Sequence, residues 1–310
     1  MTILSLFSGA GGLDLGLITS GNKVVWANDI DENAAATYRK NIGSHIICAD
    51  IKEICIADLP VTDVVVGGFP CQGFSMANML RSADDERNKL YKHYYQVIKQ
   101  KQPKYFIAEN VKGILSLDSG KVIKKIMAEF SEAGYNTTYK LCNMADFGIP
   151  QNRQRVIIIG QRKDIDGMMV FQFPKKTNGK DGMPKAWVSI REAIGHFPDP
   201  DNENNMLNHV YSSYKVEFRN FTGHRQTDPD KPSPTILARG NGKGGVCAIP
   251  HYNGKRRLTI RESAAIQTFP EDFEFVGKMN SCYRQIGNAV PVKFASLLGK
   301  ELIRLEKLYI

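Results

Sequence analysis

The chain has 310 residues, 42% of them hydrophobic and 24% charged, which is ordinary for a globular protein and long enough for about two domains. Lysine and arginine number 41 against 32 aspartates and glutamates, and the resulting +9 leans toward a polyanionic partner without requiring one. No apolar run approaches a membrane span, no charged-then-apolar leader precedes the first strand pattern, and the six cysteines (48, 55, 71, 142, 247, 282) are scattered without a Cys-x-x-Cys pair. The expectation is a protein with no membrane anchor, no disulfide framework and no metal site, its thiols reduced in a cytosol.

Ile3 to Phe7 reads as a buried strand and runs into Phe7-Ser8-Gly9-Ala10-Gly11-Gly12-Leu13-Asp14-Leu15-Gly16. Glycines at such a turn let backbone amides approach a ligand at the start of the next helix. A dinucleotide fingerprint needs glycine three positions after Gly11, where this chain has Asp14. A carboxylate there suits a cofactor without a pyrophosphate, since there is no anion to repel. The second strand, Lys23 to Ala27, leads to Asn28-Asp29, close to where an acidic side chain accepts hydrogen bonds from ribose hydroxyls. Asp50 follows the apolar Ile46-Ile47 run and is placed to receive an adenine amino group. A tight strand-to-helix turn with no ligand is the competing reading of these glycines.

Val64 to Val66 reads as a strand buried on both faces, and the loop leaving it is Gly67-Gly68-Phe69-Pro70-Cys71-Gln72-Gly73-Phe74-Ser75. A thiol flanked by glycines, a proline and polar Gln72 and Ser75 is placed like a nucleophile at the carboxyl edge of an open sheet. Free cysteine also serves as a small core hydrophobe, and Cys71 alone does not separate the two. Leu90, Tyr94, Val97 and Ile98 fall on one helical face, as do Val122, Ile123, Ile126, Met127 and Phe130, with Gly134 as a stop. Between those helices the strand Tyr105 to Ala108 ends in Glu109-Asn110-Val111. Glu109 then faces the same side of the sheet as Cys71. A thiolate attacking an electron-poor ring needs a proton donor or hydrogen-bond partner at the ring edge, which a partly buried glutamate provides. Otherwise Glu109 is a cap or a surface carboxylate.

Gln151-Asn152-Arg153-Gln154-Arg155 precedes the strand Val156 to Ile159. Arginines at alternate positions of an extended segment point the same way, as a clamp on a ring carbonyl or phosphate or as surface charges. Strands alternating with helices over the first 160 residues predict an α/β fold with a doubly wound, mostly parallel sheet. From Asp164 to about Gly254 the chain is rich in Gly, Pro, Asn, Lys and Asp, with apolar pattern only at Val188 to Ile194 and Thr235 to Ala238. This predicts a smaller, loop-rich domain of short strands. The stripe Phe294, Leu297, Leu298, Leu302, Leu305 and Leu308 then predicts a helix that packs back on the first domain.

Phe-Ser-Gly-Ala-Gly-Gly, Gly-Gly-Phe-Pro-Cys-Gln-Gly-Phe-Ser, Glu-Asn-Val and Gln-Asn-Arg-Gln-Arg occur in that order. They are followed by Arg261 to Pro270 (Arg-Glu-Ser-Ala-Ala-Ile-Gln-Thr-Phe-Pro) and Gln285 to Pro291 (Gln-Ile-Gly-Asn-Ala-Val-Pro). In this set and spacing the chain resembles the DNA (cytosine-5)-methyltransferases of bacterial restriction–modification systems. The resemblance implies the S-adenosylmethionine-dependent methyltransferase fold, with a catalytic and cofactor-binding domain at 1–164 plus 283–310 and a target-recognition domain at 165–282. It implies that Phe7, Gly9, Gly11, Asp29, Asp50, Ile51 and Pro70 line an S-adenosylmethionine pocket closed by Asn288 and Val290. Cys71 becomes the nucleophile, Glu109 the partner of the cytosine ring edge, and Arg153 and Arg155 the residues that bind the base and orient the catalytic groups. Ser75 to about Asn88, with Arg81 and Arg87, matches the family's mobile active-site loop, and Gln72, Ser75, Arg225, Thr235 and Arg239 become DNA contacts.

The implied reaction adds the Cys71 thiolate to carbon 6 of a flipped-out cytosine in a specific short duplex sequence, so that carbon 5 accepts the methyl group. The implied partners are double-stranded DNA and, functionally rather than in a stable complex, a restriction endonuclease; the protein would act as a monomer in the bacterial cytoplasm. A nicotinamide dehydrogenase gives no role to Cys71 or Glu109. A tRNA-modifying relative would carry a Cys-Phe-Thr segment not found here, and a non-catalytic DNA-binding relative would be expected to have lost Cys71 or Glu109.

Overall fold

The computed structural model describes residues 1–69, 86–165, 170–180, 182–202, 205–218, 224, 226–238 and 249–308, with side chains from Leu90 onward in the helix that begins at Glu86. Seven strands, β1 (Thr2–Leu6), β2 (Lys23–Asp29), β3 (Ile46–Cys48), β4 (Val64–Gly67), β5 (Tyr105–Val111), β6 (Tyr135–Asn143) and β7 (Gln154–Arg162), form one sheet in the order β3-β2-β1-β4-β5-β7-β6. β1 to β5 run parallel, while β7 is antiparallel to both β5 and β6. The mostly parallel α/β sheet expected from the alternating pattern is therefore present. β6 escapes the sequence reading because it is an edge strand: only Tyr135 and Cys142 of its nine residues are buried, so it carries no apolar run.

Successive strand residues point to opposite faces, and both faces are covered. Ile3, Val64, Val66, Tyr105, Ile107, Ile157 and Ile159 pack under α1 (Gly12–Thr19) and α8 (Val292–Glu306). Leu4, Leu6, Val65, Phe106, Ala108, Val156 and Ile158 pack under α3 (Glu86–Lys101) and α4 (Lys121–Glu132). The expected C-terminal stripe is fully buried at Phe294, Leu298, Leu302 and Leu305, whereas Leu308 lies past the helix and is exposed. α1 and α8 approach closely enough that a Cβ on Gly16 would sit 2.3 Å from the Val292 carbonyl oxygen. Between β2 and β3 lies α2 (Glu32–Asn41), capped by Asp31, whose side chain accepts from the amides of Asn33 and Ala34.

Beyond β7 the described residues hold only the two-residue strands β8 (Asn178–Gly179) and β9 (Lys185–Ala186) and the helices α5 (Ile190–Ile194), α6 (Ile260–Ile266) and α7 (Met279–Asn288) before α8. A separate apolar cluster gathers Ile190, Ile236, Leu258, Phe269, Phe273 and Phe275 with Cys282 and Tyr283 of α7. α5 and α6 both start with a capping box, Ser189 with Glu192 and Thr259 with Glu262. Arg261 is fully buried and donates to the carbonyls of Leu207, Pro270 and Phe273, while Arg256 grips Glu262 through both nitrogens at 2.7 and 2.8 Å. Much of the Arg-Glu-Ser segment thus organises loops rather than meeting a ligand. No helix among the described residues is long and apolar enough to cross a membrane.

Candidate active site

Carboxyl ends of β1, β2, β4 and β5 open on one cleft of about 1040 Å³, where ligands of parallel α/β sheets bind. On one side the chain leaves β1 in a sharp turn with left-handed Phe7 (φ 56°), Gly9 (φ 56°) and Gly11 (φ 87°). The Ser8 amide donates to the Asn28 carbonyl at 2.8 Å, and the Gly11 amide to the Ser8 carbonyl at 2.9 Å. A Cβ built on Gly9 meets nothing within 4 Å, so Gly9 presents bare backbone to open space. Gly11 stands with its back to the cleft instead: a Cβ there would meet Ile42 at 2.2 Å and Tyr38 at 2.8 Å. Of the residues expected on this wall, Phe7, Gly9, Asp29, Asp50, Ile51, Asn288 and Val290 line the cleft, and Gly11 instead allows the turn to pack against α2.

Asp29 accepts from the Gly9 amide at 2.7 Å and from the Asp31 amide at 2.9 Å. Burial nonetheless raises its pKa above the ordinary carboxyl value, with those amide hydrogen bonds opposing. Each oxygen keeps a lone pair for a further donor. Asp50 caps the turn 51–53 by accepting from the Lys52 amide at 3.1 Å. Asp14, which stands where a dinucleotide fingerprint would have glycine, lies under the turn. It accepts from Ser5 at 2.7 Å and from the Tyr38 hydroxyl at 2.8 Å, and that hydroxyl also contacts His45 Nε2 at 3.0 Å.

The other side of the cleft starts at the end of β4. A Cβ on Gly67 would lie 2.6 Å from the Leu6 carbonyl oxygen and one on Gly68 would lie 3.1 Å from Glu109 Oε2, so the glycine pair lets the departing chain pass close to Glu109. Phe69 is buried against the rings of Tyr91 and Tyr94, at 5.2 and 5.5 Å, and its carbonyl accepts from Asn110 Nδ2 at 3.0 Å. Asn110 therefore fixes the start of the loop that carries the thiol, a role the sequence did not signal. Pro70, Cys71, Gln72, Ser75, Arg81, Arg225 and Arg239 lie outside the described residues, as does the side chain of Arg87.

Glu109 lies within β5, its Oε1 2.7 Å from Arg155 Nε and both side chains 13% exposed. That oxygen has no aligned hydrogen-bond donor among the described residues, so the contact is an ion pair. The two arginines, expected as one clamp, have separate tasks. Arg155 pairs with Glu109, while Arg153 is buried and spends its fork on carbonyls, Nη1 on Ile236 at 3.1 Å and Nη2 on Gly287 at 2.8 Å and Ala289 at 3.1 Å. Burial, with the Arg155 charge beside it, lowers the Arg153 pKa. Thr235 reaches the same cleft, its hydroxyl donating to the Asn152 carbonyl at 2.7 Å. Seven of the cofactor candidates, Glu109, both arginines and Thr235 thus share one cleft.

Residues 1–304 match the family described as C-5 cytosine-specific DNA methylase. Among relatives, the type II methyltransferase M.NgoFVII of Neisseria gonorrhoeae is 38% identical over 97% of this chain and 86% of its own length. The type II methyltransferase M.FnuDI of Fusobacterium nucleatum is likewise 38% identical, over 97% and 94%. Among solved structures, a chain from an Escherichia coli prophage, assigned as a DNA modification methyltransferase, superposes with a TM-score of 0.75 at 25% identity and covers 99% of both chains. The chain belongs to the C-5 cytosine-specific DNA methylase family and is a DNA (cytosine-5)-methyltransferase.

Proposed function

We propose that the cleft holds S-adenosylmethionine along its β1–β3 wall and a cytosine flipped out of duplex DNA beside Glu109, and that Cys71 attacks that base. The observation that carries the reading is the Glu109–Arg155 pair facing Gly68, three residues before Cys71, in the cleft that Asp29, Asp50 and Asn288 also line. The wall suits the cofactor: bare backbone at Gly9 leaves room, carboxylates at Asp29 and Asp50 accept from hydroxyl and amino groups, and a cationic sulfonium tolerates acidic neighbours. When bound, the cofactor supplies an electrophilic methyl group.

Carbon 5 of cytosine is a poor nucleophile, and the protein's task is to change that. The Cys71 thiolate adds to carbon 6 while Glu109 favours a proton at ring nitrogen 3, leaving carbon 5 enamine-like and able to accept the methyl group. A base, water in the cleft, then takes the carbon 5 proton, the pair left behind re-forms the carbon 5–carbon 6 double bond, and the Cys71 thiolate is expelled. Arg155 holds the Glu109 carboxylate in place, and Asn110 holds the backbone that leads to Cys71. A stacked base hides carbon 6, so the cytosine leaves the helix at a cost on the order of a few kcal/mol. The segment 75–85 with Arg81, Arg87 in the first turn of α3 where a loop to Asn88 was expected, and phosphate contacts from the region 165–282 offset that cost. Arg225 or Arg239 reads a guanine edge there. The naming of the relatives as type II methyltransferases supports a modification enzyme that protects host DNA from a cognate restriction endonuclease.

Labelled S-adenosylmethionine offered with duplex DNA or with tRNA tests the reading. Label is expected on DNA, and label on tRNA alone, or on neither, overturns it. Cys71→Ser is expected to abolish transfer while S-adenosylmethionine still binds; normal turnover in that variant would rule out the covalent route. Bisulfite sequencing of DNA from expressing cells identifies the sequence read.

A further inference from the structure

Two buried glutamines outside the expected catalytic set join Arg153 in a continuous polar bridge behind the cleft. Gln151, Arg153 and Gln267 are at most 1% exposed. Gln151 Oε1 accepts from the Ile236 amide at 3.0 Å and Arg153 donates to the Ile236 carbonyl, so both polar groups of one residue are held from the same side. Gln151 Nε2 donates to Gln267 Oε1 at 2.9 Å, and Gln267 Nε2 donates to the carbonyls of Ile286 at 2.7 Å and Ala289 at 3.2 Å. Arg153 closes the ring on Gly287 and Ala289. The segment on one side of this bridge, Thr235 to Ala238, lines the cleft and is followed in sequence by Arg239. On the other side, Asn288 and Val290 flank Ala289 on the cofactor wall.

The two segments also touch directly: a Cβ on Gly287 would lie 2.4 Å from the carbonyl carbon of Leu237. Neither can shift without the other, because a buried donor or acceptor that loses its partner is costly. Gln267 itself does not line the cleft. Resting on the reading of the cleft given above, we propose that Gln267 is a positioning residue that couples engagement of DNA at the 235–238 segment to closure of the 288–290 wall on the cofactor. By reciprocity, duplex DNA then tightens cofactor binding and cofactor tightens DNA binding by the same factor.

The test measures the affinity of S-adenosylhomocysteine, which does not react, with and without a duplex that carries the mapped site. Wild type is expected to bind it on the order of fivefold or more tightly with DNA present. Gln267→Met, similar in volume but without the amide, is expected to bring that ratio close to one while affinity without DNA changes by less than about twofold. Gln151→Met cuts the same bridge from the other end and must give the same loss, so either variant that folds suffices. A wild-type ratio of one overturns the proposal. So does an unchanged ratio in a folded variant whose melting temperature alone falls, because a merely structural glutamine would behave that way. Transfer of label to the duplex by the wild type, run alongside, separates the failures: no label removes the reading of the cleft, and label with an unchanged ratio removes only the coupling.

Discussion

Asp14 has no solvent exposure, and burial pushes its carboxyl from 3.8 up to about 6 against the hydrogen bonds from Ser5, Tyr38 and Ser8. The folded state holds this proton more tightly than the unfolded chain does. Stability therefore falls as pH rises between about 4 and 6 and carries a constant deficit above that range, on the order of 3 kcal/mol for the difference between those two values. Asp14→Asn keeps an acceptor for its neighbours and has no charge to desolvate. It is expected to stabilise the protein more at pH 8 than at pH 5 in urea unfolding, and a gain independent of pH would contradict this account. Glu109 differs in being reachable from the cleft. Glu109→Gln removes the carboxylate that favours the proton at ring nitrogen 3 and is expected to lower kcat by about 10²- to 10⁴-fold with S-adenosylhomocysteine affinity unchanged. A rate near that of the wild type would remove Glu109 from the reaction.

At the scale of elements, the contact of α1 with α8 fixes the turn after β1 against the C-terminal segment. A methyl group on Gly16 would meet the Val292 carbonyl oxygen at 2.3 Å and the Ala295 Cβ at 2.4 Å. Gly16→Ala is therefore expected to cost about 1–3 kcal/mol of stability by thermal or urea unfolding and to weaken S-adenosylhomocysteine binding by displacing Val290. A variant as stable as the wild type would show that the helices separate freely. α3, α4, α8 and five strands were legible in sequence because strands covered on both faces must be apolar throughout, and because helices on a sheet carry one apolar stripe. α2, α6 and α7 were not, and the stretch Val188 to Ile194, expected in a domain of short strands, holds the helix α5 instead, started by the Ser189–Glu192 capping box. β6 was not, since an exposed edge leaves no such mark. The lining of the cleft was legible where a motif sits on a strand end, as at Gly9, Asp29 and Glu109. The bridge of Gln151 to Gln267, hydrogen-bonded across 116 residues, was not. Nothing local in either segment announces its partner, and separation along the chain also hid Asn110's grip on Phe69, 41 residues away, and Gly11's contact with α2.

For the whole molecule, 41 basic against 32 acidic residues give a net charge that suits a polyphosphate partner. Duplex affinity is expected to fall as salt rises, log Kd against log salt giving a straight line; affinity insensitive to salt would mean that the charge serves another purpose. Arg225→Ala combined with Arg239→Ala is expected to relax the choice of flanking bases in bisulfite maps, and unchanged selectivity would refute a base-reading role for both. Two buried arginines spend donors on main-chain carbonyls beyond β7. Arg261 takes the carbonyls of Leu207, Pro270 and Phe273, and Arg153 takes those of Ile236, Gly287 and Ala289. Every residue type supplies a carbonyl. Loops held by their main chain are free to exchange side chains without loosening the frame, so a lineage of such proteins is able to change the word it reads while leaving the grammar of catalysis intact.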